Sequence, residues 1–304
     1  MKKRKLGNSD LMVSELGLGC MSLGTDDKKA QQIIEAALDE GINYFDTADL
    51  YDFGVNEKLV GKALREVREQ VIIATKVGNR WTDKKDQWTW DPSKAYIKDA
   101  VKNSLKRLGT DYIDLYQLHG GTIDDPIEET IEAFEDLKSE GYIRFYGISS
   151  IRPNVIREYI EKSNIVAIMM QYNLLDRRPE ETVLPLLEDK GVSIVARGPL
   201  AKGLLSDSFM EKLDLGKSYL DYGHEELSEL LPLLKNKLSS ERSFTEVALQ
   251  YNLAYPEVAS VIAGASSVSQ VRNNANAVKS DSLTNEEIAL IQSITKANIY
   301  SDHR

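Results

Sequence analysis

Residues 71–119 read VIIATKVGNRWTDKKDQWTWDPSKAYIKDAVKNSLKRLGTDYIDLYQLH. One apolar run, VIIATK, opens the stretch, and a second, YIDLYQLH, closes it. Both are nearly continuous in apolar residues, the pattern of strands buried on two faces. Between them SKAYIKDAVKNSLKRLG carries apolar residues at helical spacing, with Ser93 as a cap after Pro92 and Gly109 as a stop. A strand, a helix and a strand in that order predict a parallel pair with a helical crossover.

The same alternation runs outward in both directions. The other apolar runs are SELGLG, INYFD, IRFYGIS, IVAIMMQ, VSIVARG and VASVIAG. KKAQQIIEAALDEG stops at Gly41; DPIEETIEAFEDLKSEG opens on Asp125 and Pro126, carries acids in its first turn, and stops at Gly141. Strand then helix, eight times, predicts a (β/α)8 TIM barrel formed by residues 1–304 as a single domain. A doubly wound sheet would place a GxGxxG turn after its first strand. That place holds GLGCMSLG, whose glycines have the wrong spacing. Three stretches depart from the repeat. Residues 1–15 hold a turn signal, Asn8-Ser9-Asp10, between two short strands, and predict a hairpin plugging the barrel bottom. Residues 78–92 form a polar loop with all three tryptophans, and residues 200–242 a long insertion. Both loops leave C-terminal strand ends, the face where barrels carry their sites. TNEEIALIQSIT predicts a last helix capped by Thr284.

Composition narrows the function classes. A net charge of −10 argues against nonspecific binding to nucleic acid or an anionic membrane. No stretch approaches the ~18 apolar residues of a membrane span, and the basic N-terminus lacks the apolar run of a signal peptide. The single cysteine, Cys20, leaves no internal disulfide and fits a cytoplasmic, reducing setting. It reads as a small buried residue, not a nucleophile. Neither HExxH nor CxxC occurs, so no metal site is expected.

Nearly every apolar run ends in a polar residue: Asp46, Lys76, His119, Ser149, Gln171 and Arg197. One such end is ordinary, but six predict a polar mouth over an apolar barrel. With Tyr51 just past the second run, the mouth offers an acid, a phenol, an amine and an imidazole, the parts of a proton-transfer site. A phenol has an ordinary pKa of ~10, and bringing it to ~7 takes roughly 4 kcal/mol. An ammonium at ~4 Å supplies about that much at an effective dielectric of ~20. Lys76 is expected to do so, provided Asp46 keeps it charged against burial. His119 is placed to donate to the same substrate oxygen. Gly19, Cys20 and Met21, at and past the end of the first run, are expected to border a cofactor, and Met21 and Trp81 the substrate.

These residues lie in long ordered segments that resemble the aldo-keto reductases, especially bacterial stress- and inositol-locus-type members and potassium-channel β-subunits. The likeness runs from KLGNSDLMVSELGLGCMSLG to VIAGASSVSQVRNNANAV, through GINYFDTADLYDFGVNEKLVGKAL, ATKVG and RLGTDYIDLYQLHG. It implies NADPH-dependent carbonyl reduction without metal or flavin, by a monomer acting on a small carbonyl substrate. Tyr51 would be the general acid, Lys76 its partner, Asp46 the orienter of Lys76, and His119 the donor that aims the carbonyl. Ser149, Ser150 and Gln171 match the carboxamide-binding positions, with Ser150 in place of the more usual asparagine. Arg197 stands where many members place a stacking tyrosine, and Gly198, Leu200, Lys202 and Gly203 would line the diphosphate. Gly264, Ser266, Gln270, Asn273 and Asn274 would bind the adenosine phosphate. The serines there replace a more usual basic residue, which leaves NAD(H) open beside NADP(H).

Two other functions share these residues. A Schiff-base aldolase or isomerase would use Lys76 as a nucleophile. A regulatory protein would bind nicotinamide cofactor with little turnover.

Overall fold

All eight apolar runs form parallel strands, which close into a barrel in a computed structural model. It describes residues 1–82, 87–188, 190–213, 216, 218–238 and 242–304. The strands are β1 (Lys3–Lys5), β2 (Met12–Ser14), β3 (Leu16–Gly19), β4 (Tyr44–Asp46), β5 (Ile72–Val77) and β6 (Asn79–Trp81). They continue as β7 (Trp88–Trp90), β8 (Ile113–Leu118), β9 (Ile143–Ser149), β10 (Ala167–Gln171), β11 (Ser193–Arg197) and β12 (Val258–Gly264). The barrel runs β3-β4-β5-β8-β9-β10-β11-β12 and closes β12 onto β3, pairing Val261 with Leu16.

Helices cross between the strands: α1 (Asp27–Asp39), α2 (Val55–Leu64), α3 (Lys94–Leu108), α4 (Ile127–Ser139), α5 (Pro153–Lys162) and α6 (Pro179–Leu187). Then come α7 (Phe209–Leu213), α8 (His224–Leu238), α9 (Phe244–Leu253), α10 (Val268–Lys279) and α11 (Asn285–Ile294). Ser93 caps α3 and Gly109 ends it in the left-handed conformation. Thr284 and Glu287 form a reciprocal capping box on α11. Helix α4 starts just past Pro126, where the sequence signal places it. Asp125 does not cap it; its carboxylate accepts from the Thr122 backbone N–H at 2.7 Å and from Trp90 Nε1 at 3.1 Å.

Strand periodicity divides the core. Odd and even residues point to opposite faces, and two clusters result. The outer one joins Leu18, Phe45, Ile73 and Ile148 to the helices. The inner one joins Tyr44, Ile72, Ala74, Leu115, Met169 and Val195 to Leu6, Leu11 and Val13 of the hairpin β1–β2. That hairpin pairs Arg4 with Val13 and closes the barrel floor, as its turn signal predicts.

The two long loops carry structure that their polarity concealed. Within 78–92, β6 and β7 pair antiparallel, joining Asn79 to Trp90 and Trp81 to Trp88; residues 83–86 lie outside the described residues. The 200–242 insertion holds α7 and α8 and a bridge between Tyr219 and Tyr222. No helix among the described residues is long and apolar enough to cross a membrane.

Candidate active site

The inner-face alternation that fills the barrel also lifts polar groups to its rim. Tyr44 in β4 is followed two residues later by Asp46, and Ile72 and Ala74 in β5 by Lys76. Met169 in β10 precedes Gln171, and Val195 in β11 precedes Arg197, with Gln171 and Arg197 in register. His119 continues the same parity one residue beyond β8. Tyr51 comes from the loop after β4, where Asp52, Phe53 and Gly54 are all left-handed, with φ of 47°, 55° and 81°. Such residues cost roughly 1–2 kcal/mol each away from glycine, so the surroundings must hold them. Phe53 stacks on Trp81 with ring centroids 4.1 Å apart. At the φ of Gly54 any side chain is strained, and a Cβ would also press on Arg107 Cδ at 2.6 Å.

Four residues converge. Lys76 Nζ donates to Asp46 Oδ2 at 2.7 Å, to the Thr47 carbonyl at 2.8 Å, and to the Tyr51 hydroxyl at 3.4 Å. The Tyr51 and His119 rings meet edge to face, 6.1 Å apart at 84°. Lys76 is 0% exposed. Burial works to deprotonate it, but the charges and hydrogen bonds of Asp46 and Tyr51 prevail and hold its pKa above the ordinary value. The phenol behaves differently from expectation. Burial pushes the Tyr51 pKa up and outweighs the downward pull of Lys76, with the Asp46 charge adding to the rise. Tyr51 is therefore a protonated donor at neutral pH, not a group poised near 7. Burial first, then Lys76 and Arg197, depress His119 to about 3, so its ring is neutral. Its Nδ1 is buried without a hydrogen-bond partner among the described residues.

These groups border a cavity of about 650 Å³. Tyr51, Lys76 and His119 share it with Met21, Ser149, Ser150, Arg152, Met169 and Arg197, and the C-terminal segment 299–303 forms one wall. Trp81, Cys20 and Gln171 do not border the cavity. Trp81 packs on Phe53. Cys20 is fully buried, with burial raising its thiol pKa well above the ordinary value; its Sγ donates to the Leu18 carbonyl at 3.6 Å, and its backbone carbonyl accepts from Asn56 Nδ2 at 2.8 Å. Gln171 stands behind the wall, its Nε2 on Asp176 at 2.8 Å and its Oε1 on Arg197 Nη1 at 3.1 Å. Ser150 does border the cavity, and its Oγ accepts from the Arg152 backbone N–H at 3.2 Å.

Two loops have features suited to phosphates. Past β11, Gly198, Ala201, Lys202 and Gly203 all have positive φ, and Leu200 lies between them. At the start of α10, Ser267 caps the helix, Ser266 donates to Gln270, and Asn273 is exposed while Asn274 is buried. Gly264 lies so close to Ser22 that a Cβ would sit 2.8 Å from Oγ, and Gly19 packs beside it. A helix N-terminus with free amides is a natural anion site.

Sequence reasoning passed over the residues that brace the four. Asn56 Oδ1 accepts from Thr47 Oγ1 at 2.7 Å, and Glu57 accepts from Thr75 Oγ1 at 2.6 Å and pairs with Arg107 Nε at 2.5 Å. Asn56 and Glu57 are 0% exposed although they open a helix. Their place as adjacent polar residues in GINYFDTADLYDFGVNEKLVGKAL, with Asp46 and Tyr51, was the available signal. Arg152 and the C-terminal wall had no signal in residue type or spacing.

The model described as the aldo/keto reductase family matches residues 15–296. An oxidoreductase of Bacillus subtilis (strain 168), YqkF, is 59% identical over 307 residues, covering 100% of both chains. The NADH-specific methylglyoxal reductase of Escherichia coli (strain K12) is 32% identical, covering 98% of this chain and 99% of its own. Among solved structures, aldo-keto reductase AKR11C1 from Bacillus halodurans in its holo form superposes with a TM-score of 0.95. It is 61% identical, covering 100% of this chain and 99% of its own.

Proposed function

The chain belongs to the aldo/keto reductase family of oxidoreductases, and from that premise we propose that it reduces aldehydes or ketones to alcohols with NADPH. The observation that carries this reading is Lys76 Nζ, held by Asp46 at 2.7 Å and donating to Tyr51 at 3.4 Å beside an open cavity.

A nicotinamide cofactor, when bound, supplies the hydride. Tyr51, protonated because burial raises its pKa, gives its proton to the carbonyl oxygen. Lys76 then neutralises the phenolate left behind, until solvent returns the proton. His119, neutral because its pKa is about 3, donates a hydrogen bond to the same oxygen without competing for its proton. Asp46 keeps Lys76 charged, which also argues against an amine nucleophile for Schiff-base chemistry.

Ser149, Ser150 and Gln171 would hold the carboxamide, with Arg197 beside the ring and Gly19, Cys20 and Met21 along its edge. Gly198, Leu200, Lys202 and Gly203 would take the diphosphate. Gly264, Ser266, Gln270, Asn273 and Asn274 would take the adenosine phosphate. The positive-φ loop and the capped start of α10 fit those roles. The relative named as NADH-specific makes a side-by-side comparison of the two cofactors essential.

A steady-state screen of aldehydes and ketones with NADPH and NADH tests the reading. Cofactor oxidation that is faster with NADPH is expected. Tight cofactor binding with no oxidation across the panel would favour a regulatory protein instead.

A further inference from the structure

Three arginines border the cavity, and only one is neutralised. Arg178 is held by Asp176 through two contacts, at 2.7 and 2.8 Å. Arg107, Arg144 and Arg177 likewise pair with carboxylates elsewhere in the fold. Arg152 and Arg197 have no carboxylate within ion-pair distance among the described residues. Arg152 donates to the Gly121 carbonyl, which fixes its guanidinium at the cavity wall past β8. Arg197 donates to the neutral amide of Gln171 at 3.1 Å. Half-buried cations in a chain of net charge −10 have many acids available to them, so two left unpaired at one cavity are pointed.

The cofactor does not use both. In the placement proposed above its phosphates lie along 198–203 and 264–274, and neither segment borders the cavity. Asp302, exposed on the C-terminal wall, is the single carboxylate among the described lining residues, and it accepts from Ser301 Oγ at 3.1 Å. Lys76 is already neutralised by Asp46. The remaining imbalance is close to one positive charge, which suits a carboxylate better than a doubly charged phosphate.

We propose that the carbonyl substrate carries a carboxylate, taken by Arg152 with Arg197 beside it, so that the enzyme reduces acidic aldehydes or oxo acids. The planar fork of arginine matches a carboxylate in two parallel contacts. This rests on the reductase reading. Met21 and Ile299 supply apolar wall for the rest of the molecule, and both are largely exposed.

The test compares matched pairs: 4-carboxybenzaldehyde with benzaldehyde, and 4-oxobutanoate with butanal, using the full-length enzyme. The carboxylated member should have a kcat/KM higher by roughly tenfold or more, the worth of a charged hydrogen bond. In Arg152→Met the ratio should fall toward one, chiefly through KM, and in Arg152→Lys only part of the way. The Kd for NADPH, read by fluorescence, should change by less than about twofold in Arg152→Met, since no phosphate contact is lost. A wild-type ratio near one, a stronger preference for glyceraldehyde 3-phosphate over glyceraldehyde, or a ratio that survives in both Arg152→Met and Arg197→Met would overturn the proposal. If no aldehyde is reduced, the reductase reading fails separately. Calorimetry of benzoate against benzamide on the cofactor-loaded protein then decides the anion site: selective benzoate binding lost in Arg152→Met supports it, and equal binding overturns it.

Discussion

Tyr51 is protonated through neutral pH because burial lifts its pKa above the ordinary 10. As a general acid it should therefore keep reduction flat between about pH 5 and 9, while the reverse oxidation, which needs the phenolate, should rise with pH. A flat profile for reduction beside a rising one for oxidation would support that assignment; parallel profiles would not. Tyr51→Phe should lower kcat by roughly 10²–10⁴-fold, the usual worth of a positioned acid, with cofactor affinity retained in a fluorescence titration. Full activity in that variant would remove Tyr51 from the chemistry. His119 gives a second pH signature. Its pKa falls from the ordinary 6.5 to about 3 on folding. The unfolded chain thus takes up a proton that the folded chain refuses between those values, so stability is complete above 6.5 and declines as pH drops toward 3. His119→Gln should flatten that slope in denaturant titrations, and nitrogen NMR should show a neutral His119 ring at pH 5.

At the scale of elements, α2 matters more than its ten residues suggest. Its first turn sends Asn56 and Glu57 inward to Thr47 and Thr75, the neighbours of Asp46 and Lys76. The Glu57 carboxylate is fully buried and depends on Arg107 of α3. Arg107→Met should leave that charge unpaired and cost about 3–5 kcal/mol by urea unfolding. Asp49 joins this cluster. Burial, and then the Glu57 charge, raise its pKa to about 8. Further along α2, Gly61 lets the helix touch α3; a Cβ there would lie 2.0 Å from the Leu108 carbonyl oxygen. Gly61→Ala gains about 1 kcal/mol of helix propensity. The clash with rigid backbone costs about 1–3 kcal/mol or more, so the net change should be destabilising. A higher melting temperature would contradict that contact.

The whole molecule is tied across its two ends. Arg4 in the hairpin pairs with Glu15 at 2.8 Å and donates to the Leu253 and Val258 carbonyls at 2.8 and 2.9 Å. Leu6, Leu11 and Val13 are at most 2% exposed beneath the barrel. Deleting residues 1–13 should cost roughly 5 kcal/mol of apolar burial, a large part of the 5–15 kcal/mol that stabilises a typical domain. Thermal melting of the truncated chain measures this, and an unchanged midpoint would show that the floor is dispensable. At the other end the segment 299–303 walls the cavity, anchored by the Asn154 backbone N–H on the His303 carbonyl at 2.9 Å.

Much of this was legible in the chain. The eight runs became the eight barrel strands because a strand buried on both faces needs continuous apolar character, and chemistry-bearing residues at their ends had to emerge on one rim. The hairpin floor and the Thr284 cap followed from local turn and capping chemistry. The tryptophan loop misled because its polarity hid a β-hairpin, and because Trp81 stacks its ring on Phe53.

The order of strands and helices, and so the convergence of Asp46, Lys76 and His119 at one end, was set by the sequence itself through periodicity and spacing. The protonation of Tyr51, the unpaired state of Arg152 and Arg197, and the C-terminal wall were decided only by tertiary structure. Each depends on burial and on which distant charge lies within a few ångströms, and closure of the chain in three dimensions fixes both.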